Sequence, residues 1–133
     1  MTRILIVDDE PSVREILFTF LGQQGFEPAV AEDGQKALDM IPTFNPHIVL
    51  LDVAMPGING LKTLDKIRAL SAHCCVIMMS GHASHQSALK AMDQGALEFI
   101  QKPFDFDYLE QLLLTMVATQ VARDDRGTGA ATS

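Results

Sequence analysis

Ile4-Leu5-Ile6-Val7-Asp8-Asp9-Glu10-Pro11 opens the chain with four apolar residues in a row and then an acidic stop. An apolar run without polar alternation reads as a strand covered on both faces, because a strand with one wet face alternates instead. Two more such runs follow, Ile48-Val49-Leu50-Leu51 ended by Asp52, and Val76-Ile77-Met78-Met79 ended by Ser80-Gly81. Pro28–Ala31 and Leu97–Ile100 supply two shorter strands. Between and after the strands the apolar residues change to helical spacing. They are Val13, Ile16, Leu17, Phe20 and Leu21 before Gly22 and Gly25, then Ala37, Leu38 and Ile41, then Leu61, Leu64, Ile67 and Leu70. Leu109, Leu112, Leu113, Met116 and Val117 mark the last helix. Ser84–Gln94 is helical by composition but has a poor stripe, mainly Ala88, Ala91 and Met92. Five strands alternating with five helices predict an α/β fold of right-handed βα units around a largely parallel sheet.

The composition fits that architecture. A chain of 133 residues that is 47% hydrophobic and 20% charged has the size and content of one globular domain. We place that domain at residues 1–122 and read 123–133, which has nothing to bury, as a flexible tail or the start of an interdomain linker. Ten basic against 17 acidic residues leave a net charge of −7, which argues against direct nucleic-acid binding, since phosphate contacts need clustered Lys and Arg. Cys74 and Cys75 are neighbours, a spacing that rarely meets disulfide geometry, and no spaced Cys/His set suits zinc. No apolar run has the length of a membrane span, and the N-terminus lacks the order of a signal peptide. A soluble, cytoplasmic protein is expected.

In doubly wound sheets, ligands bind beyond the carboxyl ends of the strands, where strand order reverses. After the predicted strands stand Asp8 and Asp9, Asp52, Ser80 and Lys102. Carboxylates brought together repel and raise at least one pKa unless a cation relieves them, and an all-oxygen set suits Mg²⁺. Taken singly, an acidic turn, a Ser-Gly turn and a solvated lysine are all ordinary; the convergence carries the argument. The chemistry it fits is phosphoryl transfer onto a carboxylate, which needs a nucleophile, in-line positioning and neutralised oxygens.

At these residues the chain resembles the receiver domain of bacterial two-component response regulators. The likeness runs from Arg3 to about Val121 and rests on VDDE at Val7–Glu10, LLDVAMPGING at Leu50–Gly60, MMSGHA at Met78–Ala83 and GALEFIQKPFD at Gly95–Asp105. The resemblance implies a flavodoxin-like fold with strand order 2-1-3-4-5, the order for which the chemotaxis receiver is a standing example. It implies Asp52 as phosphoacceptor, with Ser80 and Lys102 binding the phosphoryl oxygens. It further implies Mg²⁺ held by Asp8, Asp9, Asp52 and the carbonyl of Ala54, and a switch in which Phe99 follows Ser80. Implied partners are a histidine kinase or phosphotransfer protein, with a homodimer or output face on the fourth helix, fifth strand and fifth helix. The domain would catalyse its own modification as a signalling module rather than turn over a substrate.

Other residues carry weaker expectations. Gly60 opens the third helix, Gly81 leaves space beside Ser80, and Asp105 is placed to cap the last helix. Ala54 and His82, by family analogy, line the approach to the phosphoryl group and tune its lifetime. Phe18 lies off the first helix's stripe and either docks a kinase or folds against the neighbouring last helix. Plain core is the lesser reading of Phe99. His47, His73, His82 and His85 lie in predicted loops without ligand spacing and read as surface polar groups. The poor stripe of Ser84–Gln94 is either an Ala-packed helix or an element of low stability that shifts on activation. Two functions from other classes remain open. A pseudo-receiver would bind partners without phosphorylation, but typically loses an acidic or Lys position, and none is lost here. An aspartyl-nucleophile phosphatase would want an acid two residues after Asp52, where Ala54 stands. No output domain follows in this sequence, so a stand-alone receiver or an N-terminal piece is expected.

Overall fold

The computed structural model describes residues 1–54, 57, 59–81 and 85–118, with His85, Gln86 and Ser87 described by their backbone. Met55, Pro56, His82, Ser84 and the expected tail at 123–133 lie outside the described residues. The order of elements is β1 (Arg3–Val7), α1 (Pro11–Gln23), β2 (Glu27–Ala31), α2 (Gly34–Phe44), β3 (Ile48–Asp52), α3 (Gly60–Leu70), β4 (Cys75–Ser80), α4 (His85–Asp93) and β5 (Glu98–Gln101). All five strands pair in parallel in the order β2-β1-β3-β4-β5, the flavodoxin-like arrangement expected. The chain divides after Lys102, and the described residues from Pro103 onward belong to a second unit, described by itself.

The apolar runs occupy the centre of the sheet because both of its faces are covered. Leu5, Val7, Val49, Leu51, Val76 and Met78 join one buried cluster with Leu38 and Ile41 of α2, Leu64 and Ile67 of α3 and Ala91 of α4. The alternate positions, Ile4, Ile6, Ile48, Leu50, Ile77 and Met79, are buried too, as the period of two in a strand requires. α2 packs on α3 and α3 on α4, while α1 lies along β1 and β2. Local chemistry fixes the helix ends: Pro11 starts α1, and Asp33 and Asn59 accept from Lys36 N–H and Lys62 N–H at 2.8 and 2.9 Å. In the second unit a helix spans residues 106–118. Asp105 caps it by accepting from Tyr108 N–H at 3.1 Å.

The helix faces differ from the expected stripes in detail. Leu17 and Leu21 are the buried pair of α1, whereas Ile16 is 49% exposed, because one residue's turn of about 100° takes it off the contact line. Phe18 is exposed to a similar degree, 47%, as its place off the stripe predicts. Leu70 and Met92 face outward at the ends of α3 and α4. Leu97 is also exposed and precedes β5, which begins at Glu98.

Two histidine expectations need correction. His85 begins α4 rather than lying in a loop. His47 is half-buried rather than a surface group. Its Nδ1 accepts from Arg3 N–H at 2.9 Å, its own N–H donates to Arg3 O, and its carbonyl accepts from Cys75 N–H at 3.0 Å. The residue therefore ties the starts of β1 and β4 together at the entry to β3, satisfying backbone groups that begin the sheet. Cys74 and Cys75 are free and buried at the same end. Burial, with the neighbouring Cys75 and against the nearby Arg68, pushes the Cys74 thiol up to about 12.

Candidate functional site

The opposite, carboxyl end of the sheet gathers the polar residues that interrupt the apolar runs. Asp8 follows β1, Asp52 ends β3, Ser80 ends β4 and Lys102 follows β5. Asp8, Asp52 and Ser80 are the buried polar residues here, each placed by a strand whose other residues are core. Parallel register brings them level: Asp52 stands beside Met79, and Ser80 beside Gln101. The backbone binds the loops in turn, through Asp8 N–H to Ala31 O, Val53 N–H to Met79 O and Lys102 N–H to Ser80 O at 3.2, 2.9 and 2.9 Å.

Lys102 is the cation at the centre of this group. Its Nζ lies 2.6 Å from Asp8 Oδ2, 3.6 Å from Asp52 Oδ2 and 3.7 Å from Glu10 Oε1. Burial pulls its pKa down, but the Asp8 hydrogen bond and the charges of Asp8, Asp52 and Glu10 outweigh that and leave it raised. Asp8 also uses its other oxygen, Oδ1, to accept from Glu10 N–H at 2.9 Å. Asp52 Oδ1 accepts from Ala54 N–H at 3.3 Å. Burial first, then the charge of Asp8, pushes the Asp52 carboxyl from 3.8 up to about 6, against the pull of Lys102 and the Ala54 bond.

One ammonium thus stands among three carboxylates, leaving negative charge that is not balanced. Asp8, Asp9 and Glu10 each bring a carboxylate oxygen within 4.8 Å of the others. Hard oxygen donors and excess negative charge fit a divalent cation such as Mg²⁺. Asp52 joins this group through Lys102 rather than through the acidic cluster itself.

Two participants escaped the reading of the sequence. Glu10 reaches Lys102, and its signal was its place as third acid in Asp8-Asp9-Glu10. Arg14, one turn into α1, donates from Nη1 to Asp8 O at 2.8 Å and holds the acidic loop by its backbone; no motif pointed to it. Gly60 acts from behind. A Cβ there would overlap the Asp52 backbone oxygen and sit 2.6 Å from Val53 Cα, and Gly60 N–H donates to Val53 O at 2.9 Å. Gly81 is under no such constraint, since a Cβ would meet only Lys102 Cβ at 4.0 Å. Phe99 is half-buried against the core cluster, in register with Met78.

Residues 4–114 match the family model of the response regulator receiver domain. The chain belongs to that family. Among curated relatives, the receiver domain is 39% identical over 113 residues to regulatory protein AtoC of Escherichia coli, covering 85% of this chain and 24% of AtoC. It is 33% identical over 110 residues to transcriptional regulatory protein FixJ of Bradyrhizobium diazoefficiens, covering 83% of this chain and 54% of FixJ. This receiver domain therefore spans from about a quarter to about half the length of those relatives. Among solved structures, the receiver domain of NtrX from Brucella abortus superposes with a TM-score of 0.82 at 36% identity, over 87% of this chain and 98% of that one. Chemotaxis protein CheY4 of Vibrio cholerae gives the same TM-score, 0.82, and the same coverage at 26% identity. No helix among the described residues of the receiver domain is long and apolar enough to cross a membrane.

Proposed function

We propose that this receiver domain is a phosphorylation-activated switch in which Asp52 is the phosphoacceptor. The observation that carries the reading is the buried Asp52 carboxylate at the end of β3, 3.6 Å from the Lys102 ammonium and beside Asp8. A carboxylate held at about 6 is ionised at neutral pH yet more basic than a solvated one, a good combination for a nucleophile. An Asp52 oxygen attacks the phosphorus of a phosphohistidine on a partner kinase or phosphotransfer protein, or of a small phosphodonor. From a phosphohistidine, a P–O bond to Asp52 forms as the P–N bond breaks, and the imidazole leaves with the electron pair and takes a proton from solvent. From acetyl phosphate, the bond to the acetyl oxygen breaks instead and acetate leaves with the electron pair. Lys102 and the Ser80 hydroxyl bind the new oxygens, and the demand on Ser80 and Phe99 shifts the population towards a second arrangement.

Asp8, Asp9, Asp52 and the Ala54 carbonyl are the proposed Mg²⁺ ligands, with Glu10 an additional acid at the rim. Mg²⁺, when bound, would neutralise the carboxylates and the phosphoryl oxygens together. The exposed Leu89 and Met92 of α4 and Leu97 before β5 support an output or dimer face on that side, and exposed Phe18 supports kinase docking through α1. The proposed role is that of a signalling module that modifies itself and has no turnover substrate.

Intact mass after incubation with Mg²⁺ and acetyl phosphate tests the reading. A single phosphoryl adduct is expected on the wild type and none on Asp52→Asn. No adduct on a folded wild type would favour a phosphorylation-independent interaction module instead. The metal is tested separately by unfolding in increasing MgCl₂. At a concentration about 100 times the dissociation constant, stability should rise by about 2.7 kcal/mol. The gain should vanish on chelation and in Asp9→Asn; an unchanged midpoint would remove the cation from the scheme.

A further inference from the structure

Among its described side chains, α4 is held in place by little apolar surface. Of its described side chains Ala91 is fully buried, while Leu89 and Met92 are exposed. At the helix's end Gln94 makes a longer reach. Its Nε2 donates to Leu61 O in the first turn of α3 at 3.0 Å, and its backbone N–H donates to Lys90 O, continuing α4. Leu61 directly follows Gly60, the residue pressed against the backbone of Asp52 and Val53. A continuous chain of contacts thus runs from the Asp52 loop through Gly60 and Leu61 to Gln94 and the end of α4. Gln94 Oε1, however, is buried and has no hydrogen-bond partner among the described residues. A buried amide oxygen left unpaired is costly, so this arrangement of the side chain holds α4 while carrying a penalty that another arrangement can relieve.

We propose that Gln94 is a positioning residue that tethers α4 to the Asp52 loop and sets how far α4 responds to events at Asp52. The inference rests on Asp52 being the phosphoacceptor only for the second half of that statement. The half-met amide makes the tether firm enough to place α4 and weak enough to release it, which a fully satisfied bond or an apolar contact would not.

Amide hydrogen exchange on the whole chain tests this, in wild type, Gln94→Met and Gln94→Glu, before and after acetyl phosphate with Mg²⁺. Gln94→Met removes donor and unpaired acceptor at similar volume, and Gln94→Glu keeps the shape while replacing the donor with an acceptor. Gln94→Glu, which loses the donor and keeps a buried acceptor, should speed exchange of residues 85–93 about fivefold without phosphodonor, the equivalent of one lost hydrogen bond. Gln94→Met, which loses the bond together with the unpaired oxygen, should speed it less, with α1 unchanged in both. Phosphorylation should alter exchange in α4 of the wild type and alter it much less in either variant, at equal yield of adduct by intact mass. Unaltered α4 exchange in both variants, or acceleration spread evenly over all helices, would overturn the tether. Absence of an adduct on the wild type would instead overturn the phosphoacceptor, while the comparison without phosphodonor still decides the tether.

Discussion

Asp52→Asn, besides losing the phosphoryl adduct, is expected to make the metal-free protein more stable at neutral pH. In the unfolded chain the carboxyl titrates near 3.8, and in the fold near 6. Below the lower value both states are protonated and the site costs nothing extra. As pH rises between the two values the unfolded state gives up its proton first, so stability falls through that window and then levels off. The distance between the two values corresponds to about 3 kcal/mol. That distance already contains the pull of Lys102 and of the Ala54 bond, so asparagine, uncharged and still an acceptor for Ala54 N–H, should be more stable by up to about 3 kcal/mol at pH 7. Urea unfolding at pH 7 and pH 4, without divalent cation, reads it. The gain should be large at pH 7 and close to zero at pH 4, and a gain that ignores pH would mean that burial of the charge is not its source.

Gly60→Ala should move stability the other way, by about 3 kcal/mol. Alanine is the better helix former by about 1 kcal/mol, and in open surroundings it would help. At Gly60 the added methyl would overlap the Asp52 carbonyl and crowd Val53 Cα, both main-chain atoms that a rotamer change cannot move aside. Gly22→Ala in α1 is the control, since a Cβ there meets nothing within 4 Å; that variant should be neutral or slightly more stable. Chemical denaturation of the pair separates local crowding from helix propensity. Equal behaviour of the two would show that the loop after β3 yields easily.

Much of this could be read from the sequence because parallel strands buried on both faces leave uninterrupted apolar runs. Ile4–Val7, Ile48–Leu51 and Val76–Met79 therefore announced β1, β3 and β4, and the first polar residue after each marked the edge where Asp8, Asp52 and Ser80 now stand. Part of what escaped depends on partners distant in sequence. The half-burial of His47 comes from Arg3 and Cys75. The contribution of Arg14 is a bond to a backbone oxygen, which any residue could offer. The exposure of Ile16 and Leu70 follows from how much of each helix the sheet covers, which apolar spacing overestimates. Gln94 looked like an ordinary polar helix end, and only its reach to Leu61 sets it apart.

The two adjacent thiols lie at the end of the sheet away from the carboxylates, and both are sequestered. With the Cys74 thiol pushed up to about 12, almost none of it is thiolate near neutrality even before access is considered. An alkylating reagent in solution therefore meets Cys74 chiefly in molecules that have opened around the start of β4. The protein carries its own gauge of opening, and cysteines introduced on the surface for spectroscopic labels can be modified against a quiet background.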